Sequence, residues 1–325
     1  MSSQYRETSL PAVMDHKPRL SVLTITYNHE AYIAECLQGA LAQRTEFPFE
    51  IVVGEDCSTD GTRALCERFQ RERPDRIRLV LQDANTGGYR NFESVLDCCR
   101  GEYVAILDGD DYWTGAEKLQ RQVDLLDRHP EWSMCFHNVR IVTEGLPDRL
   151  FFERPGRPVY TQEDFVERNF VPTCSCVFRN RGNGVLPPWY YDREKNPYAD
   201  WILHVINTSF GDAGYVDEVM GVHRRHAGGI WGGTFDGTVE GDIRRMRKRQ
   251  TAYERLQECI APRLRAAVCR QRALNAYHLS LAYREKGDWP AVRRCLWQAF
   301  RTEPFARIPF LRSGLIAAMQ GFRKQ

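Results

Sequence analysis

The chain contains no apolar run approaching the roughly 18 residues that a membrane-crossing helix requires. Its first residues, Met1 to Arg19, are polar and lack the apolar stretch of a secretory signal, so a cytoplasmic protein is expected. The eleven cysteines are an odd number, and none forms the C-x-x-C pair of a zinc or redox site. Reduced thiols fit that usage. No G-x-G-x-x-G follows the first strand-like segment and no G-x-x-x-x-G-K-[ST] occurs, which removes the main support for dinucleotide and P-loop sites. The G-x-S-x-G elbow of the serine hydrolases is also missing.

What is present is an ordinary soluble composition over 325 residues, enough for one large domain or two smaller ones. The net charge of +2 conceals an asymmetry. Residues 241–325 carry 19 Lys and Arg against 6 Asp and Glu, a net of +13, which leaves 26 against 37, a net of −11, for residues 1–240. Two regions with different partners are expected. A basic region of this kind can face nucleic acid or anionic lipid, or simply solvate its arginines. The expectation is a peripheral membrane or protein contact and no nucleic acid.

The organising stretch is Tyr103-Val104-Ala105-Ile106-Leu107-Asp108-Gly109-Asp110-Asp111-Tyr112-Trp113. Its first half is made of strand formers, and its second half places three carboxylates within four residues. Such carboxylates repel each other unless a cation sits between them. Oxygen ligands favour a hard divalent ion, Mg²⁺ or Mn²⁺, which keeps waters and accepts substrate phosphates. The simpler reading is a strand followed by an acidic turn.

The flanking pattern alternates. Strands are expected at Arg19 to Thr26, Phe49 to Val53 and Ile77 to Leu81, and helices at His29 to Gln43, Arg63 to Arg73 and Asn91 to Arg100. Asn28 is expected to cap the first of these helices, while Asp60 and Thr62 read as the start of the second. The β-α-β-α-β-α-β order argues for a parallel α/β sheet with helices on both faces, whose ligands bind at the carboxyl ends of the strands. Further on, a helix is expected at Lys118 to Arg128, strands at Met134 to Val142, Cys174 to Phe178 and Tyr215 to His223, and a helix at Ala199 to Phe210. Residues 144–162 and Gly228 to Gly241 read as loops, and the chain beyond Asp242 as basic helices.

Three ordered segments carry a resemblance: Leu23-Thr24-Ile25-Thr26-Tyr27-Asn28, then Glu50 to Thr62, then Leu107-Asp108-Gly109-Asp110-Asp111. Together they resemble the family 2 glycosyltransferases over about residues 19–235. That resemblance implies the GT-A fold, with its Rossmann-like sheet, and an inverting transferase that uses a nucleotide-diphospho-sugar, a UDP-sugar foremost, with a divalent metal. It assigns Thr26, Tyr27, Asn28, Glu55 and the adjacent Asp56 to the nucleoside, where an acidic side chain can accept the N3–H of a uracil. It assigns Asp108, Gly109 and Asp110 to the Asp-x-Asp motif, with Asp110 the direct metal ligand. Two positions depart from the family pattern: Glu55-Asp56 replaces the usual pair of Asp, and Cys57 the usual Gly. Tyr198-Ala199-Asp200-Trp201 resembles the segment that carries the general base, here Asp200. In His223-Arg224-Arg225-His226, the His that reaches metal or diphosphate matches His226.

The organisation expected is a flexible N-terminus over 1–18, a GT-A domain over 19–240 and a basic helical region over 241–325. Residues 273–304 resemble one tetratricopeptide repeat, with a plain helical hairpin as the alternative. Ile308 to Lys324 mixes apolar and basic residues in the manner of a membrane-surface helix. The acceptor implied is a growing glycan or lipid-linked saccharide at the inner face of a membrane. The alternatives are a sugar-nucleotidyltransferase, whose Gly-rich basic loop after the first strand is missing here, and a glycan-binding or scaffold protein with an idle site.

Overall fold

A computed structural model describes residues 5–8, 17–154, 156–226, 228–229 and 237–302. Strands β1 (Tyr5–Thr8), β2 (Leu20–Thr26), β3 (Phe49–Glu55), β4 (Ile77–Gln82) and β5 (Tyr103–Ile106) alternate, after β2, with helices α1 (Ile33–Leu41), α2 (Thr62–Glu72) and α3 (Gly88–Cys98). Then follow β6 (Tyr112–Trp113), α4 (Lys118–Arg128), β7 (Trp132–Thr143), β8 (Arg149–Leu150), β9 (Val159–Tyr160) and α5 (Gln162–Glu167). β10 (Val177–Arg179), α6 (Ala199–Asn207) and β11 (Asp212–Arg225) complete the sheet region, and α7 (Val239–Cys259), α8 (Arg265–Lys286) and α9 (Trp289–Thr302) follow it.

Among the described residues one mixed sheet runs β1-β4-β3-β2-β5-β10-β7-β11-β6, with β8 on β7 and β9 on β11. β4, β3, β2 and β5 are parallel, as the alternating pattern predicts. β10 is antiparallel to both β5 and β7, so β7 again points the same way as β5, and β11 runs parallel to β7. β2, β3, β5, β7 and β11 therefore all end at one edge.

The period-two pattern of the strands divides the core. Leu20, Val22, Ile51, Val53 and Leu79 face α1, α2 and α4, and Leu23, Val52, Val80 and Val104 face α3 and the later helices. Each fully buried Leu, Ile or Val contributes about 1.5–3 kcal/mol relative to exposure. At the opposite edge, buried Glu50 accepts from Ser21 Oγ at 2.7 Å and from Arg78 and Arg100, each at 2.8 Å, tying β2, β3, β4 and the α3–β5 connection together. Tyr5–Thr8, in the stretch expected to be flexible, pairs with β4, where Glu7 meets Arg78.

Several boundaries differ from expectation. The first helix begins at Ile33 because Asn28 adopts φ +54° and His29 to Tyr32 form a turn. The segment from Cys174 divides into a 3-10 turn, Thr173–Ser175, and the short β10. The 144–162 loop contributes β8 and β9. Beyond residue 239, α7 and the first half of α8 join the larger core: Ala252, Tyr253, Leu256, Ala267 and Val268 pack with Trp201 and Phe165. α8 and α9 form a hairpin around Leu279, Tyr283, Val292 and Leu296, turned by Gly287 at φ +80°. A single helical pair is what the repeat-like pattern yields here. Pro304 and Ile308 to Lys324 lie outside the described residues, as does 230–236 of the Gly-rich loop. No described helix is long and apolar enough to cross a membrane.

Because Tyr253 is 3% exposed and edge-stacks on Trp201 at 5.1 Å, Tyr253→Ala should lower stability by about 3–5 kcal/mol, as large-to-small core changes do. A chemical denaturation midpoint measures it, and a loss below 1 kcal/mol would show that α7 does not share the core.

Candidate active site

The three carboxylates stand where β5 leaves the sheet. Leu107 N–H donates to Leu23 O at 2.9 Å and Gly109 N–H to Ile25 O at 3.0 Å, so the turn is laid along the last residues of β2. Asp111 N–H closes it on Asp108 O at 2.9 Å. A Cβ at position 109 would stand 2.7 Å from Thr26 Oγ1, which is why only glycine admits this approach.

Each carboxylate meets its surroundings differently. Asp110 Oδ2 lies 3.0 Å from His226 Nε2. Burial works against its ionised form, but the His226 hydrogen bond and the nearby His29 outweigh it and hold its pKa below the ordinary value. Asp111 is buried, lies 3.1 Å from His223 Nδ1, and accepts Arg224 N–H at 2.8 Å. Asp108 makes no side-chain hydrogen bond among the described residues. Burial, then the charges of Asp110 and Asp111, push its pKa well above the carboxylate range. Arg224 is occupied: it donates to Asp110 O at 2.7 Å, pairs with Glu35 and covers Tyr112 at 4.3 Å.

His29, expected only as a helix start, is a site residue. One ligand atom from each of His29, Asp110 and His226 lies within 4.8 Å of the others, and His29 Nδ1 is buried without a hydrogen-bond partner. Its position directly after Asn28 at the end of β2 was the available signal. An orphaned imidazole nitrogen beside a carboxylate and a second imidazole fits a divalent cation, and two nitrogen donors suit Mn²⁺ better than Mg²⁺.

The loops after β2 and β3 are cross-linked. Asn28 does not cap a helix; its Oδ1 accepts Thr59 N–H at 2.9 Å, and its own N–H donates to Ser58 Oγ at 3.0 Å. Asp60 accepts from Thr62 and from Glu30 N–H, so it joins the two loops as well as opening α2. Glu55 is fully buried, accepting Ser58 N–H at 2.7 Å and pairing with Arg63. Asp56 is buried and holds Thr86 N–H at 2.7 Å and Gly87 N–H at 2.8 Å. Both carboxylates shape the corner from beneath, while Tyr27, 39% exposed, stands open beside it.

Asp200 sits in the first turn of α6, where the helix dipole favours its charge. Asn169 Nδ2 donates to its Oδ2 at 2.7 Å. Burial raises its pKa, opposed by backbone N–H groups at the start of α6, by Asn169 and by His223. Sequence reasoning did not reach Asn169, which comes from a connecting segment without motif character.

The profile of glycosyl transferase family 2 matches residues 21–183 of this chain. Uncharacterized protein Rv1520 of Mycobacterium tuberculosis is 42% identical over 214 residues, 65% of this chain and 60% of that protein. The match thus spans less than two thirds of the relative's length. Among solved structures, Staphylococcus aureus TarS 1–349 in complex with UDP-GlcNAc superposes with a TM-score of 0.53 at 18% identity, covering 85% of this chain and 90% of that one. Mannosyltransferase PcManGT from Pyrobaculum calidifontis in complex with GDP-Man and Mn²⁺ gives 0.54 at 19% identity, covering 94% and 81%. These two show a shared GT-A-like fold.

The Asp110 hydrogen bond raises the pKa of His226 above its usual 6.5. The stability this pair contributes is complete below 6.5 and fades as pH rises through the raised value. Cation binding needs the imidazole nitrogen free, so Mn²⁺ affinity should climb as pH rises through that same window. Titrations followed by Mn²⁺ electron paramagnetic resonance should show weaker binding in His226→Ala, with a pH slope smaller by about one proton. An unchanged slope would remove His226 from the cation site.

Proposed function

The chain belongs to glycosyl transferase family 2, and on that premise we propose that it is an inverting glycosyltransferase. It moves a sugar from a nucleotide-diphospho-sugar, a UDP-sugar foremost, to a hydroxyl of a growing glycan or lipid-linked saccharide. The nucleoside lies over the corner of Thr26, Tyr27, Asn28, Glu55 and Asp56, and the diphosphate over Asp108, Gly109, Asp110 and His226. A divalent cation bound there supplies positive charge against the departing diphosphate. Residues 19–240 carry the site, and within 241–325 helices α7 and α8 brace it while the region offers a basic surface.

The observation that carries the reading is Asp200, a half-buried carboxylate at the same edge as Asp108, with Asn169 fixing one oxygen. As base it takes the acceptor's hydroxyl proton while that oxygen attacks the anomeric carbon. The bond from that carbon to the diphosphate oxygen breaks on the opposite face, inverting the configuration. A raised pKa makes Asp200 a stronger base once ionised, so transfer should fall as pH drops through that value.

For the basic region, the outer face of α9 supports a contact with anionic lipid. Arg293, Arg294, Trp297, Phe300 and Arg301 are exposed there, and the helix contains no Asp or Glu. The full chain should sediment with vesicles rich in phosphatidylglycerol and not with neutral ones. At about 1 kcal/mol per basic residue, replacing Arg294 and Arg301 by Ala should weaken that binding roughly 30-fold; equal binding to neutral vesicles would count against it.

Asp200→Asn keeps the size and the Asn169 contact but cannot accept a proton. Sugar transfer should fall about 10²–10⁴-fold with UDP affinity unchanged. Turnover near wild type would show that the proton leaves by another route, and a parallel loss of UDP binding would move Asp200 to the donor site.

A further inference from the structure

Three imidazoles stand beside the edge carboxylates: His29 and His226 group with Asp110, and His223 groups with Asp111 and Cys174. His223, on β11 three residues before His226, directs Nδ1 at Asp111, 3.1 and 3.2 Å from its two oxygens. Asp111 is 1% exposed and fixed from behind by Arg224 N–H, with the Cys174 thiol against it. An enclosed carboxylate of this kind demands a proton from Nδ1. That anchors the ring through Nδ1 and leaves Nε2 as its unengaged nitrogen.

Nε2 has no hydrogen-bond partner among the described residues, yet the ring is not sealed, since the side chain is 21% exposed. The ring lies within electrostatic reach of Asp108, whose carboxylate makes no side-chain hydrogen bond among the described residues, and of Asp200. An anchored imidazole with an unengaged nitrogen at a carboxylate-lined edge matches a small polyhydroxylated ligand, whose hydroxyls donate and accept in turn.

We propose that His223 is a sugar-binding residue: its Nε2 shares a hydrogen bond with a hydroxyl of the transferring sugar, the ring being held in register by Asp111. The inference rests on the donor assignment made above and deepens it, placing sugar selection on the end of β11, apart from the groups that hold the nucleotide and diphosphate.

Two isosteric replacements separate this role from a structural one. His223→Asn supplies an amide at the Nδ1 position and keeps the Asp111 contact but nothing at Nε2. His223→Gln puts its amide where Nε2 stood. Calorimetric affinities in Mn²⁺ are measured for UDP, UDP-glucose, UDP-galactose, UDP-GlcNAc and GDP-mannose, with melting curves as the folding control. The Asn variant should bind the preferred nucleotide sugar about tenfold more weakly, the equivalent of one hydrogen bond, and bind its free nucleoside diphosphate as wild type does. The Gln variant should recover most of that loss. If Asn restores binding as well as Gln, or if nucleotide and nucleotide sugar weaken together, His223 only braces the edge and the proposal falls. A wild-type chain that binds none of the nucleotide sugars overturns the donor assignment itself, a result visible before any variant is made.

Discussion

The site is governed by like-charge repulsion at a sheet edge. Asp108, Asp110 and Asp111 emerge together because β5 ends there, and three carboxylates this close cannot all remain ionised without compensation. The fold answers unevenly. Asp110 faces His226, Asp111 is satisfied by His223 and a backbone N–H, and Asp108 is left with a raised pKa. His223 lies on β11 and His226 directly follows it, so the edge depends on β11 running parallel to β7 and ending beside β5's carboxylates. The uncompensated remainder is the part a cation and a polar ligand would meet.

The loops around that edge are cross-linked by polar side chains. Polar side chains at the corner of the loops after β2 and β3 are spent largely on backbone N–H groups rather than left open. Glu55 reaches Ser58 and Arg63, Asp56 gathers the 86–87 loop, and Asn28 and Asp60 join the loops after β2 and β3. The longer Glu55 fits this use, since its extra methylene carries the carboxylate to Arg63 on α2. A corner built in this way presents backbone and the exposed Tyr27 ring, with its acidic groups shaping the surface from below.

The basic C-terminal helices serve two faces. Tyr253, Leu256 and Val268 enter the core beneath α6, the helix that carries Asp200, so the position of that carboxylate is braced from residues far beyond the sheet. The arginine-rich outer faces remain with solvent. The charge contrast between the two parts of the chain therefore marks a difference in surface and does not coincide with a boundary in packing.

The alternation of apolar strands and amphipathic helices made the parallel half of the sheet legible, because period two and period 3.6 are local properties. The carboxylate run after Tyr103–Leu107 located the edge for the same reason. Other features are set by contacts between distant segments. Asn28 carries the mark of a helix cap, but its φ of +54° and its bond to Thr59 come from the loop after β3. His29, Asn169 and the Asp111–His223 pair have no signature of their own, since each acquires its role from a residue 31 to 112 positions away, or from a cluster spanning three elements. The sequence by itself determined which strands end in chemistry and what charge they bring there. Tertiary structure alone decided which of those charges are neutralised and which stay open to a ligand, because that depends on where β11 and α6 come to rest against β5.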